Sequence, residues 1–171
     1  MDFQKILHQQ FLSNSLENYC WFLGLALFGL LFKRIISKYL SHVMYKALNR
    51  DKSIDIKTFD ELLIKPIGFF VLLMFIYLGS FNIVFPQELN FETKNFNISL
   101  ILAKIFSIIV LFAVAKIALR FVDYFGIVFQ NRAKETESKM DDQLIPFIIE
   151  LGKIAVYIVL FFIFLSKIFD V

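Results

Sequence analysis

Four apolar runs alternate along the chain with three polar stretches of unequal charge. The clearest run is Pro66 to Phe85, PIGFFVLLMFIYLGSFNIVF, which holds no charged residue. A helix needs about 20 mostly apolar residues to cross a bilayer's hydrocarbon core, so this run predicts a span over 66–85. Proline at its start is tolerated, because the first N–H groups of a helix have no intrahelical acceptor. An earlier run, Asn18 to Phe32, is uncharged over fifteen residues. Lys33 and Arg34 extend it, because their long side chains can carry their charges back toward water. With Tyr19 and Trp21 at the other end, where interfacial aromatics belong, it predicts a span over 19–36.

The two remaining runs are interrupted by charge. A span over 98–122 contains Lys104, Lys116 and Arg120. At about 1.5 Å per residue, each lies within roughly two turns of an end and can reach a headgroup region. A span over 144–169 carries Glu150 and Lys153 near its start, then an uncharged run from Ile154 to Ser166. A bundle can shelter such charges, whereas a lone span cannot. The predicted fold is therefore all-α: an integral membrane helical bundle of four transmembrane helices arranged as two helical hairpins. The first hairpin occupies 1–97 with a connection over 37–65. The second occupies 98–171 with a charged elbow over 123–143.

Charge then supplies a direction. The segment from Lys33 to Lys65 holds eight Lys and Arg residues, and that from Pro86 to Asn97 holds only Lys94. The region from Lys116 to Gln143 adds Lys116, Arg120, Arg132, Lys134 and Lys139. Basic flanks stay on the cytoplasmic side, and acids count little in that rule. The first and third connections are expected inside and both ends of the chain outside, as in a multi-pass protein of a bacterial inner membrane.

Composition sharpens the membrane reading. The 171 residues are 58% hydrophobic, include 23 phenylalanines and have a mean hydropathy of +0.70. Soluble domains are roughly 45–50% apolar even with glycine counted. A water-soluble fold of this length cannot bury so much apolar surface, so lipid is the expected solvent for the helices. Cys20 is the only cysteine, which excludes an intrachain disulfide. Residues 1–18 hold one lysine and no small-residue cleavage pattern, so no removable signal peptide is read.

The connections carry finer signals. Ile36, Leu40, Val43, Met44, Ala47 and Leu48 follow helical spacing, with Lys38, His42, Lys46 and Arg50 on other faces. The first helix is expected to run on past the membrane to a turn at Asn49–Asp51. Its apolar stripe would lie on the inner leaflet or against the neighbouring hairpin. The segments Lys57–Leu63 and Lys139–Ile145 resemble one another at an offset of 82 residues, through duplication or convergence. Thr58 with Glu61, and Ser138 with Asp141, fit a capping-box pattern. Asp141 and Asp142 are expected to cap the last helix, with Pro146 in its first turn.

Candidate chemistry is sparse. His8 and His42 have no ligand partners at metal spacing, and Cys20 has no companion histidine for nucleophilic work. No phosphate loop, nucleophile elbow or zincin motif occurs. Asp141 and Asp142 are adjacent and diverge by about 100° on a helix, so they do not converge on one ion. No catalytic, cofactor or metal site, no nucleic-acid partner and no small-molecule substrate is read. Glu150 and Lys153, spaced i, i+3, form a candidate intramembrane pair, either structural or on an ion path.

The stretch TESKMDDQLIPFI, with Ser138, Lys139, Asp141, Asp142 and Pro146, forms a charged elbow between two lipid-facing helices. This stretch resembles the MscS-like small-conductance mechanosensitive channels of bacterial membranes. The local likeness covers about Lys134 to Ile154, and residues 1–97 would be an added hairpin. The resemblance implies the tension-sensing transmembrane region of a channel that releases ions and small solutes on osmotic downshock. It also implies a homo-oligomer in the full-length protein and no enzymatic activity. The family's Gly/Ala-rich pore helix and β-rich cytoplasmic domain have no counterpart, so the sequence is expected to be an amino-terminal portion. Lys116, Arg120 and Lys134 are candidate contacts to lipid headgroups. The alternative is a small four-helix membrane anchor or assembly subunit without transport activity. A third reading is a transporter fragment that uses Glu150 and Lys153.

Overall fold

A two-residue β-hairpin, β1 (Gln10–Phe11) and β2 (Asn14–Ser15), leads into four long helices. These are α1 (Leu16–Leu48), α2 (Ile56–Ser80), α3 (Ile98–Ala133) and α4 (Asp141–Phe169). The structure is a computed structural model and describes residues 10–48, 54–86, 97–133 and 141–169, the side chains of 141–143 and 169 excepted. Each helix contains a stretch long and apolar enough to cross a membrane. The chain is an all-α, four-helix, multi-pass membrane protein.

α2 sits at the centre, and its start is set by a cap. Asp55 adopts extended backbone angles, and its carboxylate accepts from Thr58 N and from the Thr58 hydroxyl. This contact also holds the Asp55 carboxyl below its usual 3.8, the Thr58 side-chain hydrogen bond being the largest cause. The cap is therefore Asp55, and the expected Thr58–Glu61 box does not form there: Thr58 serves as the donor inside the first turn. Because the helix starts at Ile56, Pro66 lies well inside it rather than at its head. There it removes the hydrogen bond an N–H would have given to the carbonyl one turn earlier. The helix ends at Ser80 rather than Phe85, with Ile83 N closing a turn on Ser80 O.

From α2 a stripe at every fourth position, Phe59, Leu63, Ile67 and Val71, turns inward and is almost wholly buried. α1 packs along one side of this stripe through Ile36, Met44 and Tyr45, and α3 along the other through Ile117, Phe121, Tyr124 and Val128. The ring of Phe59 meets Tyr45 and Tyr124 edge-on, at centroid distances of 5.5 and 5.1 Å. Such aromatic pairs add roughly 0.5–1.5 kcal/mol beyond their buried area.

The α1–α2 contact is close because small residues line it. A Cβ placed on Gly29 would sit 2.5 Å from Phe75 Cβ, nearer than two side chains can stand. Ser37 and Ser41 are fully buried against α2, and Ser41 donates to Asp60 Oδ1 at 2.7 Å. α1 does run beyond its apolar segment as far as Leu48. Its packed face there combines the serines with Ile36 and Met44 of the expected stripe, whereas Leu40, Val43 and Leu48 remain exposed. The turn expected at Asn49–Asp51 lies outside the described residues.

α3 continues through the first half of the expected elbow, remaining helical from Val122 to Ala133. Asn97 begins it, its Oδ1 accepting from Leu100 N at 3.3 Å. α4 returns along α3 and contacts α2 far less than α3 does. In its most apolar stretch no residue is buried, against a third of the residues in that of α2.

Candidate functional site: a cationic cleft between three helices

Each of α2, α3 and α4 presents basic side chains to the same place. On α2 the basic residue is Lys65, with Phe69 beside it one turn on. On α3, Lys116, Leu119, Arg120 and Asp123 share one face by their i, i+3, i+4 and i+7 spacing, and on α4 Lys153 and Tyr157 do the same. With Pro66 they line a cleft of about 570 Å³. It holds four cations and one carboxylate.

Asp123 organises the cluster. One of its oxygens lies 2.7 Å from Lys153 Nζ and the other 3.1 Å from Arg120 Nη1, so it ties α4 to α3 and steadies the guanidinium. The carboxylate side chain is 23% exposed, less than either partner, and partial burial strengthens such contacts relative to a surface pair. Lys116 stands 5.8 Å from the centre of the Phe69 ring, at cation–π range. Among the described residues, neither Lys65 nor Lys116 has a carboxylate within salt-bridge distance.

Several helices change from apolar to charged at this height. Gly68 of α2 lies against Ser37 and the Lys33 carbonyl of α1, which places Lys33 and Arg34 near the level of Lys65. At the opposite end, Lys104 Nζ donates to Ile168 O at 3.2 Å and so satisfies a carbonyl at the C-terminus of α4. The charge-free belt between these levels is short on the second hairpin. At 1.5 Å per residue, Lys104 to Lys116 spans about 18 Å and Lys153 to Lys167 about 21 Å. The uncharged part of α2, Pro66 to Ser80, spans about 21 Å on the same measure, so each of these belts is shorter than a hydrocarbon core of about 30 Å.

Of the residues expected from sequence, Lys116, Arg120 and Lys153 come together in this cleft. Glu150 does not join them: it is exposed on α4, and Lys153 pairs with Asp123 of the neighbouring helix instead. Spacing on one helix makes Glu150 and Lys153 able to meet. The less exposed carboxylate across the helix contact wins because it also pairs with Arg120. Pro146 lies inside α4 on an exposed face, beyond its first turn. Lys134, Ser138, Lys139 and the side chains of Asp141 and Asp142 lie outside the described residues. Sequence reasoning missed Asp123, Lys65 and Tyr157. The i, i+3 relation of Arg120 to Asp123 was the one available signal.

A second polar cluster joins α1 to α2. His42 Nδ1 lies 3.0 Å from Lys38 O and 3.8 Å from Asp60 Oδ1, the oxygen to which Ser41 also donates. Among the described residues, no three His, Cys, Asp or Glu side chains converge as metal ligands. Cys20 is exposed on the outer surface of α1.

Comparison with known proteins yields no match: no family model, no curated protein and no solved structure is significantly similar to this chain.

Proposed function

We propose that this chain is the tension-sensing transmembrane region of a mechanosensitive channel of the bacterial inner membrane, one that releases ions and small solutes on osmotic downshock. The observation that carries this reading is the short charge-free belt of the lipid-exposed α3–α4 hairpin. A belt of about 18–21 Å is shorter than a hydrocarbon core of about 30 Å, and snorkelling lysines at both ends make up the difference. Stretching a bilayer thins it. A short belt is better matched in a thinned bilayer, so tension favours whichever tilt of the hairpin exposes that belt most fully. α4, which packs on α3 and scarcely on α2, is the helix with most room to tilt.

In this reading the lipid bilayer is the working partner, the full-length protein is a homo-oligomer, and the chain catalyses no reaction. Both ends of the chain face the periplasm, as the excess of Lys and Arg in the first and third connections favours. Conduction requires a path lined by groups that replace the hydration an ion loses. The Phe-rich helices are suited to lipid, and that path is assigned to a separate pore helix.

The test is electrical. Residues 1–171 alone, inserted in a bilayer, are expected to pass no current under graded suction. Fused to the pore helix and cytoplasmic domain of an MscS-like channel, they are expected to support opening, at lower tension in a shorter-chain lipid. Currents from the 171-residue chain itself would overturn the assignment of the pore elsewhere. A folded, inserted fusion that stays silent up to membrane rupture would favour the anchor or assembly reading.

A further inference from the structure

Four cations around a single carboxylate form an undercompensated cluster at the edge of an apolar bundle. Lys65, Lys116 and Arg120 are exposed at the rim of the bundle, so their mutual repulsion is modest, and they are open to an anion that relieves it. Arg120 supplies a forked donor suited to the paired oxygens of a phosphate, and Lys65, Lys116 and Lys153 supply point charges around it. Lys65 and Lys116 are available at once; Arg120 and Lys153 become available as Asp123 gives way. Beside the cations stand Phe69, Leu119 and Tyr157, which a free inorganic anion would leave uncovered.

We propose that the cleft among α2, α3 and α4 binds the phosphate group of an anionic phospholipid, with an acyl chain lying along Phe69, Leu119 and Tyr157. At about 570 Å³ the cleft exceeds a bare phosphate and accommodates a glycerophosphate headgroup with the start of a chain. Because its walls come from both hairpins, the lipid bridges them. The site depends on embedding in a membrane and not on the channel reading. A silent fusion leaves it standing, and an empty cleft leaves the fusion experiment standing.

Asp123 makes the inference testable by sign. It competes with the phosphate for Arg120 and Lys153, so Asp123→Asn is expected to tighten binding. A purely structural role for Asp123 would instead loosen the α3–α4 pair and weaken binding. The experiment uses the full chain in detergent micelles, with retention of phosphatidylglycerol measured by native mass spectrometry. Phosphatidylcholine serves as the neutral comparison and inorganic phosphate as a soluble competitor. The expected result is saturable retention of one phosphatidylglycerol, weaker retention of phosphatidylcholine, and no displacement by a tenfold excess of inorganic phosphate.

Each cation near an anionic headgroup contributes about fivefold in affinity, so Lys65→Gln with Lys116→Gln is expected to weaken binding by about twentyfold or more. Lys38→Gln with Lys46→Gln on α1 removes the same charge away from the cleft and is expected to change little. Equal losses in the two double variants would reduce the effect to a diffuse field and overturn the site. Displacement by inorganic phosphate at up to a tenfold excess would overturn the lipid source. If circular dichroism shows the Lys65/Lys116 variant to be unfolded, Asp123→Asn decides alone: unchanged or weaker binding overturns the proposal.

Discussion

Asn14 offers the sharpest test of how the chain is held at the end away from the cationic cleft. It is 1% exposed, and its side-chain amide does three things at once. It donates to Val84 O at 2.7 Å and to Leu12 O at 3.0 Å, and its oxygen accepts from Val84 N at 2.8 Å. One amide thus clamps the segment after α2 to the turn before α1. The turn needs the clamp, because Leu12 and Ser13 carry φ values of 47° and 64°, the left-handed region that only glycine enters freely. That conformation costs about 1–2 kcal/mol per residue. In Asn14→Ala, both Val84 groups lose their partners. Val84 is itself exposed, so solvent can reach the freed groups, and at about 0.5–1.5 kcal/mol net per hydrogen bond the loss totals about 1–3 kcal/mol. The strained turn makes the loss local: the hairpin opens before the helices do. At about 1.4 kcal/mol per factor of ten, exchange of the Val84 amide is expected to accelerate by roughly 5- to 140-fold. Hydrogen exchange read by mass spectrometry or NMR, in micelles, measures it directly. Asn14→Asp is the informative companion. At neutral pH it keeps the acceptor for Val84 N but sets a second oxygen against Val84 O, and protonation in acid restores the donor. Val84 exchange within about threefold of wild type in Asn14→Ala, or an Asn14→Asp variant indistinguishable from wild type at neutral pH, would refute the clamp.

Three further outcomes follow from other contacts. Gly29→Ala places a methyl group 2.5 Å from Phe75 Cβ and forces α1 from α2; overpacking of this kind costs about 1–3 kcal/mol, offset by up to about 1 kcal/mol of helix propensity, and a lowered thermal midpoint in micelles is the readout. The carboxyl of Asp55 is depressed below 3.8 by Thr58, so its cap is fully present above 3.8 and is lost as pH falls through the lower folded value; the Thr58 amide shift should titrate in that acid window and stop doing so in Asp55→Asn. Single cysteines at Asn95 and Ser138 in a Cys20→Ser background should react oppositely with an impermeant thiol reagent, Asn95 from the external side; labelling of Ser138 instead would reverse the orientation drawn from the Lys and Arg imbalance.

The four helices were legible from the chain alone, and the reason is physical. In lipid each backbone polar group must be satisfied within its own segment, so hydropathy and length suffice to announce a span. Which face of each helix packs was not legible, for the same reason. When the solvent is itself apolar, buried and exposed faces share one composition, and the period that marks an amphipathic helix in water fades. On α1 the visible apolar stripe divides, Leu40 and Val43 staying outside while Ile36 and Met44 pack on the core, and Ser37, Ser41 and Gly29 bring the helices close because small side chains let backbones approach. The start of α2 was misplaced because Pro66 is a strong local mark, whereas the Asp55 cap eleven residues earlier draws its value from packing of Phe59 and Leu63. The pairing of Lys153 was decided between helices: Glu150 is near in sequence, but Asp123 is near in space, less exposed and already held by Arg120. Local chemistry is enough to place a helix in a membrane. Contacts between residues far apart in the chain, such as Asn14 with Val84 and Lys153 with Asp123, exist only once the helices have chosen their neighbours.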